Sequence, residues 1–186
     1  MLKKLLAVIA LTVATSSVQA ALQIEITGGI NEGHRIAVIP FTQASGINTD
    51  VASVVSSDLM RSGKFSPVAM NTLPQGSVVN GEIVVDKAAA SGVEAAVTGV
   101  VKPAGNGYNV EFKLIGLQGA NKGKVLAHYA GVAPASLMRQ AAHRVSDRIY
   151  EIFTGQKGAF RTRIAYVVTR IGDGGYPYTL MTSDYD

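Results

Sequence analysis

The sequence predicts an α+β protein: a two-layer sandwich of a mixed β-sheet with helices on one face. Three observations lead there. Val51–Leu59 and Ser136–Thr154 place apolar residues at helical spacing. Between them, Val93–Val101, Tyr108–Leu114 and Val125–Val132 have strand patterning and are joined by glycine-containing turns, as in an antiparallel meander. Ahead of the first helix, Ile36–Ile39 is an unbroken apolar run, which fits a strand covered on both faces. The predicted order is β-β-α-β-α-β-β-β-α, with the helices on one side of a mixed sheet.

Residues 1–20 stand outside this fold. Lys3 and Lys4 precede the apolar stretch Leu5–Val13, and Val18-Gln19-Ala20 has small residues where a signal peptidase needs them. The segment is therefore expected to be a cleaved signal peptide. It is short of the ~20 apolar residues that span a bilayer, and no later stretch reaches that length. The sequence contains no cysteine, so an exported chain would carry neither a disulfide nor a lipid on an N-terminal cysteine. The formal charge is +4, of which Lys3 and Lys4 contribute two units. So modest a charge on an exported chain argues against nucleic acid as a partner. The lack of tryptophan and the scarcity of other aromatics argue against a sugar- or base-stacking platform.

The first predicted strand is Leu22–Thr27, where Leu22, Ile24 and Ile26 alternate with Gln23, Glu25 and Thr27. Gly28, Gly29, Asn31 and Gly33 then turn the chain into Ile36–Ile39. After Pro40-Phe41 comes a polar loop in which Asn48, Thr49 or Asp50 can cap a helix. That helix buries Val51, Val54, Val55 and Leu59, leaves Ser56, Ser57 and Arg61 outside the stripe, and ends at Gly63. Lys64–Met70 reads as a short strand, placed by Pro67 at an edge or strand end. Leu73–Asn80 reads as loop, and Glu82–Ser91 as a short helix closed by Gly92. Gly105-Asn106-Gly107 supplies a hairpin turn. The second long helix is expected to be capped by Ser136. Met138, Ala141, Ala142, Val145, Ile149, Ile152 and Phe153 lie on its apolar face, and Arg139, His143, Arg144, Asp147, Arg148 and Glu151 on its polar face.

Gly155–Gly158 reads as a hinge. Beyond it Ala159–Thr169 is a strand, Gly172-Asp173-Gly174-Gly175 a turn and Tyr178–Ser183 a returning strand. A lone hairpin is marginal in water, so 159–186 reads as the opening of a second domain. The expected division is 1–20 signal peptide, 21–154 α+β domain, 155–158 hinge and 159–186 second domain.

No familiar catalytic constellation stands out. His34, His128 and His143 are the only histidines, and no two have i, i+4 metal spacing. There is no Gly-x-Ser-x-Gly elbow, no phosphate loop and no dinucleotide fingerprint. Asp173, Asp184 and Asp186 do not have the spacing of a calcium loop. No enzyme, cofactor or metal is therefore expected. Lys157, Arg161, Arg163 and Arg170 cluster around the hinge, where they face either solvent or an acidic neighbouring domain. The terminal strand has two readings: docked permanently in the sheet, or detachable and able to pair with another protein's sheet edge.

Several long motifs point to a known family. Gly33-His-Arg-Ile-Ala-Val-Ile-Pro-Phe41, Asp58-Leu-Met-Arg-Ser-Gly-Lys-Phe65, Thr154-Gly-Gln-Lys-Gly-Ala-Phe-Arg-Thr-Arg-Ile-Ala-Tyr-Val167 and Ser183-Asp-Tyr-Asp186 resemble the TolB family of the Gram-negative Tol–Pal system. The resemblance covers the chain from residue 21 but only the front of the family's length. It implies an N-terminal α+β domain followed by a six-bladed β-propeller, of which this chain would hold an incomplete first blade. In that family the propeller binds the lipoprotein Pal, at a site that group A colicins exploit in some bacteria. The mature N-terminus contacts the C-terminal domain of TolA, and its docked or released state is linked to Pal through the hinge. The system maintains outer-membrane integrity and constricts that membrane at division.

Carried onto this sequence, the TolA-contacting segment is Ala21–Glu32, with Ala21, Leu22, Gln23, Ile24, Glu25, Ile26 and Thr27 as contact residues. The hinge is Thr154–Arg163, with Gly155, Lys157, Gly158, Arg161 and Arg163 as its working residues. The expectation is a periplasmic, monomeric, non-catalytic interaction component, with Pal as a partner only where the full propeller is present. The alternatives are an activator or scaffold of cell-wall synthesis with a similar α+β domain, or a truncated fragment without function.

Overall fold

The structure, a computed structural model, describes residues 33–169 and 178–184. The predicted signal peptide, the Leu22–Thr27 strand and the Gly172–Gly175 turn lie outside the described residues.

A mixed sheet forms the centre of the fold. Its strands are β1 (His34–Val38), β2 (Thr42–Gln43), β3 (Phe65–Val68), β6 (Ala95–Ala104), β7 (Gly107–Gly116) and β8 (Val125–Ala133), in the order β3-β1-β6-β7-β8 with β2 also beside β6. β1 is parallel to both β3 and β6, with Ile36 opposite Pro67 and Ala95. β6, β7 and β8 form the antiparallel meander the patterning predicts. β3 is an edge strand, which is where Pro67 can sit without breaking a ladder. The polar loop after Phe41 contains a strand the sequence does not announce. β2 continues the path of β1 along β6, joined by hydrogen bonds from Ile39 N to Val97 O and from Ala44 N to Val101 O, both 2.9 Å.

Two long helices cover one face. In α1 (Val51–Arg61) the Asp50 side chain accepts from Ser53 N at 3.2 Å, and Gly63 follows with φ +66°. Asp50 is thus the cap among the three candidates. α3 (Met138–Thr154) begins later than the Ser136 cap predicts. Ala135–Leu137 instead form a 3₁₀ turn, and the helix starts with no side-chain cap. Pro134 explains the difference, because its carbonyl accepts from Leu137 N at 3.0 Å and makes the turn first. Val51, Val55 and Leu59 of α1 and Met138, Ala142, Val145 and Ile149 of α3 pack on Ile36, Val97, Val110, Phe112 and Leu114.

The opposite face carries a smaller layer. β4 (Val78–Val79) and β5 (Glu82–Ile83) form a hairpin followed by α2 (Val85–Ala89). Val78, Ile83, Val85 and Ala88 pack with Leu73, Val93 and Leu117 against Ala37 and Ala96. The predicted helix over Glu82–Ser91 is therefore shorter, and the predicted loop over Leu73–Asn80 is partly strand. Asn80 (φ 52°) and Gly81 (φ 79°) are the cause: an Asn-Gly pair with two positive φ values is the preferred two-residue hairpin turn. At the other hairpin Gly105 alone takes positive φ (56°), not Asn106.

β9 (Arg163–Thr169) and β10 (Tyr178–Asp184) pair antiparallel as a separate two-stranded sheet. Ile164, Tyr166, Val167, Val168, Tyr178, Leu180 and Met181 are all exposed. Such a ribbon has no covered face to stabilise it. In this chain its amides are expected to exchange with deuterium at nearly unprotected rates, whereas those of β6 and β7 wait for global opening, about 5–15 kcal/mol. Equal protection by mass-spectrometric exchange would refute this.

Candidate functional site

Of the residues predicted to carry function, Ala21–Thr27 lie outside the described residues. The hinge group is described, and the structure brings most of it together. α3 ends where Gly155 adopts φ +70° and its N–H reaches Glu151 O at 2.9 Å, a glycine-ended helix stop. The chain then folds back along α3. Gly158 lies so close that an added Cβ would stand 2.6 Å from Asp147 Cα, a backbone clash that no rotamer relieves. Asp147 is the anchor: Oδ1 accepts from Phe160 N and Oδ2 from Arg161 Nε, each at 2.9 Å. Arg163 is directed elsewhere, to Asp184 at 3.5 Å across the base of the β9–β10 ribbon. Two of the basic side chains that cluster in the sequence are therefore engaged by carboxylates of this chain. Lys157, beside Arg144 and Arg148, remains exposed along a shallow cleft on the outer side of α3.

Phe160 completes the junction from the apolar side. It is buried and meets Tyr150 edge to face, centroids 5.7 Å apart. Tyr150 neighbours Phe65 (6.1 Å), Phe65 meets Phe153 edge to face (5.4 Å), and Phe153 lies 4.8 Å from the His34 ring. Ser62, Tyr150, Ala159 and Phe160 border an apolar groove of about 320 Å³. Asp147 and Phe160 thus clamp the hinge from two sides. Asp147→Ala should cost about 1–3 kcal/mol locally, the value of charge-assisted bonds to a backbone donor and a guanidinium. Limited trypsinolysis read by mass spectrometry should then show faster cutting after Lys157 or Arg161 with the sheet still protected. Unchanged cutting would rule the clamp out.

A second polar group joins the two long helices. Asp58 on α1 is fully buried. Its Oδ2 accepts from Ser146 Oγ at 2.7 Å and lies 2.7 Å from His143 Nδ1, while Oδ1 accepts from Arg61 Nη2 at 2.9 Å. His143 is therefore not on the exposed polar face as its sequence position predicts. It is buried at the helix–helix contact because a buried carboxylate needs donors. Ser146 was the legible signal: it lies inside the apolar stripe, four residues after Ala142 and three before Ile149. Serine, histidine and aspartate together also invite a hydrolase reading, but the geometry opposes it. The hydroxyl donates to the carboxylate rather than to the imidazole, and all three side chains are closed to substrate.

Comparison with known proteins places this fold in a family. The family described as the TolB amino-terminal domain matches residues 22–122, more than half of the chain. The chain belongs to the TolB family. The Tol-Pal system protein TolB of Mannheimia succiniciproducens is 40% identical over 182 residues, 97% of this chain and 42% of that protein. The TolB of Haemophilus influenzae is 38% identical over 191 aligned residues, all of this chain and 44% of that protein. The crystal structure of TolB from Acinetobacter baumannii superposes with a TM-score of 0.69 and 35% identity, over 87% of this chain and 38% of that one. The chain thus spans about two fifths of the length of the TolB relatives it matches. The mixed sheet with its helices is the TolB fold, and no closed barrel is present among the described residues. No helix among them is long and apolar enough to cross a membrane.

Proposed function

We propose that this chain is a non-catalytic, periplasmic protein-interaction component of a Tol–Pal system, which supports outer-membrane integrity and constriction during division. Its N-terminal segment, Ala21–Glu32, binds the C-terminal domain of TolA, with Leu22, Ile24 and Ile26 as apolar anchors and the strand's main chain as the pairing edge. The clamped junction at Gly155–Arg163 leads to the propeller side, where Pal binds if the full propeller is present. The observation that carries this reading is the TolB family match through residues 22–122, on a domain with the TolB fold. Export rests on the basic and apolar segments of residues 1–20 and is checked by fractionating cells that express the chain.

Deletion of Leu22–Ile26 tests the binding role. The deleted chain should lose affinity for the TolA C-terminal domain by about 100-fold or more in calorimetry, a ΔΔG of roughly 2.7 kcal/mol. Its urea midpoint should stay unchanged, since among the described residues the two long helices already cover the core of the sheet. Retained affinity would overturn the proposal.

A further inference from the structure

The sheet face opposite the long helices carries a feature unrelated to the junction. The tip of the β4–β5 hairpin, held by the Asn80-Gly81 turn, stands beside Thr42 and over β6 and β7, leaving a groove of about 250 Å³. A Cβ added to Gly81 would already lie 3.2 Å from Thr42 Oγ1, so the tip is seated closely. Strand alternation turns Thr98, Val100 and Lys102 of β6 and Glu111 and Lys113 of β7 toward this face. The register sets their order: Lys113 is opposite Thr98, Glu111 opposite Val100, and Lys102, opposite Asn109, two paired rows beyond Glu111.

The groove carries charges of both signs. Lys113 is drawn toward Glu82, with Nζ 3.8 Å from Oε1. Glu111 Oε1 lies 3.0 Å from His128 Nε2. Lys102 has no ion pair among the described residues. Two residues along a strand separate the Glu111 and Lys102 rows by about 7 Å. A purely anionic ligand would meet Glu82 and Glu111, and a purely cationic one Lys102 and Lys113. An aromatic ligand finds no platform, because Phe112 is buried in the core. The remaining match is a ligand with one charge of each sign, far enough apart to reach both rows. A single amino acid is too short, whereas a dipeptide places its termini two residue lengths apart, about 7 Å when extended.

We propose that this groove binds a short zwitterionic peptide of dipeptide size. Its ammonium meets Glu111, its carboxylate meets Lys102, and Thr42, Thr98 and Asn80 supply partners for the peptide unit between. The site is independent of the TolA segment, so failure of either proposal leaves the other standing.

The test is an amide-resolved NMR titration of the chain with L-alanyl-L-alanine. Saturable shifts are expected at Thr98, Val100, Lys102 and Glu111, with a Kd of about 1 mM or tighter. Lys102→Met and Glu111→Gln each alter a groove side chain outside the core and should weaken binding about tenfold or more. N-acetyl-alanyl-alanine amide, which has the peptide units without the charges, should produce no saturable shift. The proposal is overturned by non-saturating titration, by equal binding of the uncharged analogue or of acetate alone, or by unchanged affinity in both variants.

Discussion

Asp58→Ala is expected to lower the stability of the α+β domain by about 3–5 kcal/mol, the cost of removing one partner from a buried, hydrogen-bonded charge network. Ser146 and His143 would both lose their contact to the buried carboxylate, leaving Ser146 Oγ only its longer bond to Ala142 O at 3.3 Å. Urea unfolding followed by circular dichroism measures this directly. The reverse experiment separates specificity from stability. Asp58→Leu combined with His143→Leu and Ser146→Ala replaces the three buried members of the network with apolar surface, and should recover most of the loss or exceed the wild-type midpoint. A loss well under about 1 kcal/mol for Asp58→Ala would mean that the network is reached by water and is not what joins the helices.

Phe112→Ala should cost a similar amount, about 3–5 kcal/mol, by a different route. Phe112 is fully buried at the centre of β7 and points at the two long helices. Its paired residue on β6 is Gly99, and the space that a Gly99 side chain would need is filled by the Phe41 ring. Phe41 is itself fixed between the core strand and β2, so the site has little freedom to collapse into the vacated volume. The urea midpoint should fall while the slope of the transition stays the same, because the surface exposed on unfolding barely changes. Phe112→Leu should lose less, since it keeps most of the buried carbon.

Both positions show how far the sequence could be read. Phe112 was legible: alternation with Glu111 and Lys113 places it inward whatever the tertiary arrangement. Asp58 was not. It sits one residue before Leu59 at the margin of the apolar stripe, where a carboxylate is ordinarily solvated. Its burial depends on donors 85 and 88 residues away in the chain. The same holds at the junction. Gly155 was recognisable as a helix stop and Gly158 as part of a hinge. The role of Asp147 as the acceptor for Phe160 N and Arg161 emerges only when the chain folds back on α3. The helix is shorter than the alanine-rich stretch of Glu82–Ser91 suggests because the Asn80-Gly81 turn is the stronger local constraint and carries Glu82 and Ile83 into a strand.

The sequence by itself determined the elements whose signal is local: the two long helices through their apolar stripes, the three-stranded meander through alternation and glycine turns, and the edge position of β3 through Pro67. It also carried the motifs of the TolB family. Only the tertiary structure decided that β1 lies between β3 and β6, that Asp58, His143 and Ser146 form one buried group, and that Asp147 holds the domain's exit. Periodicity is set by each backbone's own geometry and so is written in neighbouring residues. A buried polar partner is chosen by desolvation, which exists only once distant segments have excluded water together.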